Sequence, residues 1–187
     1  MSTDADRTQA TVDVPSGVTL TVEGRTLTAK GPLGTAVRPF PADVLGLDVK
    51  DGVATLTLLL PPGRRASQAL LGTWAAHVRN LVAGLTRGVE ARLKVVAAHF
   101  PMKVSVRGSE LVIENFLGEK FPRSARLVPG TVAQVEGEFV VLSGTDIEQV
   151  GQSGANIERA TRIRDYDPRV FQDGIYLTER SHFKESS

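Results

Sequence analysis

Thr21–Gly34 reads TVEGRTLTAKGPLG, and Ser105–Gly118 reads SVRGSELVIENFLG. Val22, Gly24, Leu27, Leu33 and Gly34 recur as Val106, Gly108, Leu111, Leu117 and Gly118, each 84 positions further on. In the first copy VTLTV and RTLTAKG alternate apolar and polar residues around Glu23-Gly24. In the second, MKVSV and SELVIEN do so around Arg107-Gly108. Period-two alternation broken at a glycine predicts a β-hairpin. Glycine suits such a turn because it lacks Cβ and reaches positive φ without a clash. The shared Val and Leu positions are expected on the inward face of each hairpin.

Outward from the echo, both halves keep one order of elements. Asp48–Lys50 and Val53–Leu59 flank Asp51-Gly52, and TVAQV and EFVVLSG flank Glu136-Gly137, so each half gains a second hairpin. Pro61-Pro62-Gly63 stops the first set. Leu70, Trp74, Val78, Leu81 and Leu85 then fall at helical spacing, and Gly88 is placed to end that helix. In the second half VEARLKVVAAHF reads as a strand feeding Pro101. Asp146–Arg164 reads as a helix with Ile147, Val150, Gly154 and Ile157 along one face, and GIYLTER as a last strand. Asp146 or Thr145 would cap that helix by accepting a hydrogen bond from a free amide. The fold class is α+β: two similar domains from an internal duplication, each a mostly antiparallel sheet closed by one helix. The expected boundaries are a flexible tail over 1–10, an N-terminal domain over 11–88, a C-terminal domain over 89–180 and a tail over 181–187.

Composition narrows the function classes. The 187 residues are 41% apolar and 23% charged, ordinary for a chain that buries a core. Without cysteine there is neither a disulfide nor a thiolate metal site. The polar, acidic N-terminus is unlike a signal peptide, and LTLLLPPG falls far short of the ~20 residues that span a bilayer, so membrane insertion is not expected. Net charge is +1, so a nucleic-acid site would have to be a local patch rather than a global field.

Little in the sequence points to catalysis. His77, His99 and His182 have no metal-ligand spacing, and no nucleophile motif is present. GPLG and GQSGAN lack the Lys-Ser/Thr pair of a nucleotide loop. An enzyme built on His77 or His99 would need a pocket joining it to a carboxylate. The stretch ANIERATRIRDYDPRVFQDG is different. Arg159, Arg162, Arg164 and Arg169 fall close together with Tyr166 and Phe171 interleaved. Guanidinium groups fork onto phosphates, and aromatic rings stack on bases. Glu158, Asp165, Asp167 and Asp173 dilute that charge, so the pattern alone fits either a mixed-charge surface loop or an RNA-facing one. Lys120 and Arg123 in GEKFPR, and the polar helix residues Gln152, Ser153 and Asn156, share that ambiguity.

AHFPMKV, VIENFLGEKFPR, DIEQVGQSGANIERATRIR and RVFQDGIYL closely resemble the large-subunit ribosomal protein six family, in its archaeal and eukaryotic branch, whose eukaryotic counterpart is called large-subunit protein nine. The resemblance covers roughly residues 10–180. It implies a duplicated α+β structural protein of the cytoplasmic ribosome, with no enzymatic activity, cofactor, metal, membrane or small-molecule substrate. It implies that the C-terminal domain is the main binder of large-subunit rRNA, near the sarcin–ricin loop and the stalk base, with neighbouring ribosomal proteins as further partners. The matching RNA-contact positions are Lys120, Arg123, Gln152, Asn156, Arg159, Arg162, Arg164, Arg169, Phe171 and Gln172. Relatives carry a basic Gly-Arg-Asp-Arg-Arg-like segment after the helix. Here Asp165-Tyr166-Asp167-Pro168 precedes Arg169, so some phosphate contacts would be lost or replaced by stacking on Tyr166. The competing reading from a different class is a tandem β-rich protein-interaction module without RNA, which the near-zero net charge favours.

Overall fold

The computed structural model describes residues 8–59, 65–164, 166, 167 and 169–185. The Pro61-Pro62-Gly63 stop, Asp165, Pro168 and the outer parts of both expected tails lie outside these residues. The chain divides into two compact units, Met1–Arg87 and Gly88–Ser187.

The N-terminal unit contains β1 (Gln9–Asp13), β2 (Thr19–Glu23), β3 (Thr26–Gly31), β4 (Gly34–Pro39), β5 (Leu45–Lys50), β6 (Val53–Leu58) and α1 (Arg65–Arg87). Its antiparallel sheets have the orders β1-β6-β5 and β2-β3-β4. Three hairpin turns, those read at Glu23-Gly24, Arg107-Gly108 and Glu136-Gly137, fall one residue later than the sequence suggested, while Asp51-Gly52 falls where it was expected. Glu23 pairs with Thr26, so Gly24-Arg25 makes the first turn, and Gly24 leads it at φ 58°. A positive φ at the first central position is the II′ arrangement, which matches the right-handed twist of the strands. Gly108 and Gly137 repeat it at φ 62° and 60°. Asp51-Gly52 has both residues at positive φ, 52° and 76°, as a I′ turn requires. Helix α1 buries Leu71, Ala75, Val78, Val82 and Leu85 against strands of both sheets, with Leu70 and Trp74 on the flank of that stripe. Gly88, at φ 77°, follows the helix end.

The C-terminal unit contains β7 (Val89–Val96), β8 (Lys103–Arg107), β9 (Glu110–Glu114), a 3-10 turn (Phe116–Gly118), β10 (Arg123–Arg126), β11 (Thr131–Glu136), β12 (Phe139–Gly144), α2 (Ile147–Ala160) and β13 (Gly174–Phe183). The sheet β10-β9-β8 repeats β2-β3-β4. The sheet β11-β12-β7-β13 repeats β5-β6-β1 and adds β13 as an edge strand. Helix α2 packs against strands of both sheets and buries Val150, Ser153, Gly154 and Ile157. The unit's core centres on Leu93, Leu111, Ile113, Phe116, Leu142, Ile157 and Ile175.

Several expectations are corrected. Gln9 and Ala10, read as tail, belong to β1, because QATVD places Val12 in the core and pairs with β6. The last strand runs on to Phe183, which pairs with Val89. Strand β7 stops at Val96 rather than Phe100. Helix α2 ends at Ala160 rather than Arg164, because side chains capture the backbone that would extend it. Arg123 takes the Ala160 and Arg162 carbonyls, and Thr161 accepts the Ile175 amide through its hydroxyl. The echo is also imperfect in burial. Leu27 and Leu111 are both in the core, but Leu33 is 52% exposed where Leu117 is 7% exposed. In the first unit Pro32-Leu33 is a tight two-residue turn joining paired Gly31 and Gly34. In the second the chain coils through the 3-10 turn, with Asn115 and Leu117 at φ 60° and 50°, and folds Leu117 inward.

Gly144, where β12 meets the loop to α2, leaves no room for a methyl group. A Cβ there would lie 2.8 Å from the Gly130 carbonyl oxygen and 2.9 Å from Val150 Cγ2. Gly144→Ala is expected to destabilise the chain by about 1–3 kcal/mol, the usual cost of overpacking a rigid contact. A denaturant titration checks this; an unshifted midpoint would show that the β12–α2 junction is loose.

Candidate nucleic-acid interface

The α2 start is fixed locally. Asp146, one of the two cap candidates, accepts the Glu148 amide at 2.9 Å. Two turns after the cap Ser153 is fully buried and joins the helix to the loop before β11: its hydroxyl donates to the Gln149 carbonyl at 2.8 Å and accepts the Val128 amide at 2.9 Å. Gln152 donates to the Asn156 side-chain oxygen at 2.9 Å, and Asn156 donates to the Arg126 carbonyl at 2.9 Å. These two predicted contact residues therefore tie α2 to the end of β10.

At the other end of the helix Arg123 acts as a clamp. Its guanidinium carbon lies 4.3 Å from the centre of the Phe116 ring. Nε meets the Glu119 carboxylate at 2.8 Å and Nη2 meets the other oxygen at 2.5 Å, while Nη1 donates to the Ala160 and Arg162 carbonyls at 2.9 and 3.1 Å. The hydrogen bond from Arg123 holds the Glu119 carboxyl below its ordinary value, against the opposing effect of burial. A cation here also complements the partial negative charge of a helix C-terminus.

Arg159, Arg162 and Arg164 are exposed, and their side chains have no hydrogen-bond or ion-pair partner among the described residues. With Arg123 they line one cleft of about 440 Å³. Gathering like charges without acidic partners costs electrostatic energy that a bound polyanion would relieve. Lys120 is exposed in the loop before β10. Arg169 and Gln172 are exposed in the segment before β13, and none of these three lines that cleft.

A second cleft, of about 630 Å³, lies beside the first and shares Arg159 and Arg162 with it. Ile163, Phe171 and Tyr176 are among its walls. Phe171 is braced by two rings, His99 at 4.8 Å and Tyr166 at 4.9 Å between centroids. Tyr176 is held by its hydroxyl, which donates to the Gln172 carbonyl at 3.0 Å.

The His99 brace rests on Asp173. This buried carboxylate accepts the His99 imidazole Nδ1–H at 2.8 Å, the His99 amide at 3.1 Å and the Phe100 amide at 3.3 Å. The structure thus supplies the histidine–carboxylate contact that an enzyme reading would need, but the carboxylate also caps two backbone amides and the ring leans on Phe171. Burial pushes the Asp173 carboxyl up; the hydrogen bonds from the His99 side chain, then from the two amides, together with the His99 charge, bring it below its ordinary 3.8. A lowered folded-state value means this stabilisation is fully present above pH 3.8 and is lost as pH falls through the folded value. Asp173→Asn is therefore expected to cost about 1–3 kcal/mol at neutral pH. The gap from the parent chain should close in acid, checked by denaturant titrations across pH; a gap that persists unchanged below pH 3 would contradict this role.

The sequence reading missed Tyr176, Ile163 and the His99–Asp173 pair. Tyr176 had a usable signal, since the alternation of GIYLTER places it opposite the core residues Ile175 and Leu177. The His99–Asp173 contact spans 74 positions and leaves no local trace. No group of three potential metal ligands occurs among the described residues, and no described helix is long and apolar enough to cross a membrane.

Comparison with known proteins gives this surface a family. The sequence model described as Ribosomal protein L6 matches residues 100–174. Large ribosomal subunit protein uL6 of Methanospirillum hungatei is 46% identical over 172 residues, covering 91% of this chain and 96% of that protein. The chain belongs to the uL6 family. The uL6 of Methanosarcina mazei is 42% identical over 171 residues, with 91% and 96% covered, and that of Archaeoglobus fulgidus is 44% identical over 174 residues, with 90% and 88% covered. These relatives place the chain in the archaeal branch of uL6, a family of non-enzymatic structural proteins. The matched stretch 100–174 spans every described residue of both clefts except Ile175 and Tyr176.

Proposed function

We propose that this chain is a structural constituent of the large ribosomal subunit, and that its C-terminal unit binds large-subunit rRNA near the sarcin–ricin loop and the stalk base. The observation that supports this reading is the group of three exposed arginines, without partners among the described residues, around one cleft at the α2 C-terminus. Arg159, Arg162 and Arg164 neutralise phosphates, and the Arg123 clamp sets their spacing by fixing the helix end to β10. Lys120 and Arg169 extend the positive surface, and Gln152, Asn156, Gln172 and Phe171 meet the RNA at its edges. Phosphate contacts of this kind fix register and orientation on the RNA without reading base sequence, as suits structured RNA recognised by shape. The N-terminal unit contributes less RNA contact and meets neighbouring ribosomal proteins, the stalk base or solvent. The reading needs no cofactor and no small-molecule substrate.

The test is sedimentation of the tagged full chain from cell lysate. It should co-migrate with large subunits in the cytoplasmic fraction, stay with them through a moderate-salt wash and leave them after extensive nuclease digestion. A chain recovered with a protein partner after nuclease treatment, and absent from large subunits, would instead support the protein-interaction reading.

A further inference from the structure

The two clefts at the α2 C-terminus differ in chemistry, and that difference suggests a division of labour within the RNA site proposed above. The arginine cleft has four guanidinium groups and, among the described residues, no aromatic wall. The neighbouring cleft has Ile163, Phe171 and Tyr176 in its walls and borrows Arg159 and Arg162 at its border with the first. We propose that this second cleft receives an unstacked nucleobase of the RNA whose phosphates occupy the arginine cleft. The inference rests on the rRNA-binding reading.

Three features support it. The cleft volume, about 630 Å³, falls within the ~300–1,000 Å³ typical of small-ligand sites and admits a base with its sugar. Both rings are held before any ligand arrives: Phe171 by tilted contacts with His99 and Tyr166 and by its amide on the Asp167 carbonyl at 3.0 Å, and Tyr176 by its hydroxyl on the Gln172 carbonyl. Stacking on rings already immobilised loses little side-chain entropy. The shared Arg159 and Arg162 bring phosphate and base sites within the reach of one nucleotide, which an apolar peptide side chain would not require. An unpaired base offers a π-face to aromatic walls, and structured RNA presents such bases in loops and bulges.

The test uses the full chain, large-subunit rRNA and two variants. Ala155→Phe fills the aromatic cleft from the α2 side and leaves every arginine in place. Phe171→Leu keeps apolar bulk but removes a stacking surface, and stands in should the first variant fail to fold. The expected result is an affinity loss of roughly 5- to 150-fold, as for removal of one base–aromatic stack. The slope of log affinity against log salt should stay unchanged, and one rRNA base shielded from chemical probing by the parent chain should become reactive. Parent-like affinity and an identical probing pattern in a folded variant would overturn the base site while leaving phosphate binding intact. A lowered salt slope would overturn it too, by showing that the cleft holds phosphate. Absence of rRNA binding by the parent chain would remove the reading on which both sites rest.

Discussion

Replacing Arg162 and Arg164 together with alanine leaves the thermal melt of the chain in place and weakens its binding to large-subunit rRNA by roughly 15- to 30-fold at 0.15 M salt, taking 1 M as the reference. The melt is preserved because both side chains are exposed and unpartnered among the described residues, and because Arg123 grips the backbone of Arg162 rather than its side chain. The affinity falls because each phosphate contact releases condensed counterions. The slope of log affinity against log salt should flatten by roughly 0.7 to 0.9 per lost contact, hence by roughly 1.4 to 1.8 for the pair. Filter binding across a salt series reads both quantities. An unchanged slope with an intact melt would remove these two arginines from the interface.

Phe116→Ala should have the largest effect on stability. Phe116 is 1% exposed, sits among the core residues of the C-terminal unit and supports the Arg123 guanidinium. Truncating a buried phenylalanine costs about 3–5 kcal/mol through lost burial and the cavity left behind. That is a large share of the roughly 5–15 kcal/mol that typically holds a domain together. The same change removes the surface under Arg123, so the α2 end and its three arginines lose their fixed spacing. The expected result is a clearly lowered denaturant midpoint, with weaker rRNA binding even where the variant remains folded. A loss below about 1 kcal/mol would mean that this site collapses around the cavity, and that the clamp does not depend on the ring.

How far the sequence could be read follows the range of the interactions involved. The paired hairpins were legible because alternation and turn glycines act over a few residues, as Gly24 and Gly108 do. The Asp146 cap was legible for the same reason. The end of α2 was not, because Arg123 reaches Ala160 and Arg162 across 37 and 39 positions. Arg123 also shows how a residue can be picked out by pattern and placed differently by structure: its guanidinium is engaged by Glu119 and two carbonyls, whereas Arg159, Arg162 and Arg164 carry the available charge. Charge counting saw the cluster but not that its described acidic neighbours, Glu158, Asp167 and Asp173, each accept a backbone amide. Glu158, for example, accepts the Leu177 amide at 2.8 Å, and Asp173 is buried under His99. The second cleft was invisible because Tyr176 and Phe171 meet Ile163 only once β13 packs beside α2.

Equilibrium binding of the full chain to large-subunit rRNA, measured from low to high salt beside an unrelated RNA of similar length, tests the central claim most directly. Three arginines without partners among the described residues, set on phosphates, predict a log–log slope of roughly −2 to −3 and a clear preference for the large-subunit RNA. A flat salt dependence, or equal affinity for both RNAs, would contradict the assignment of the α2 C-terminus as an rRNA-binding surface.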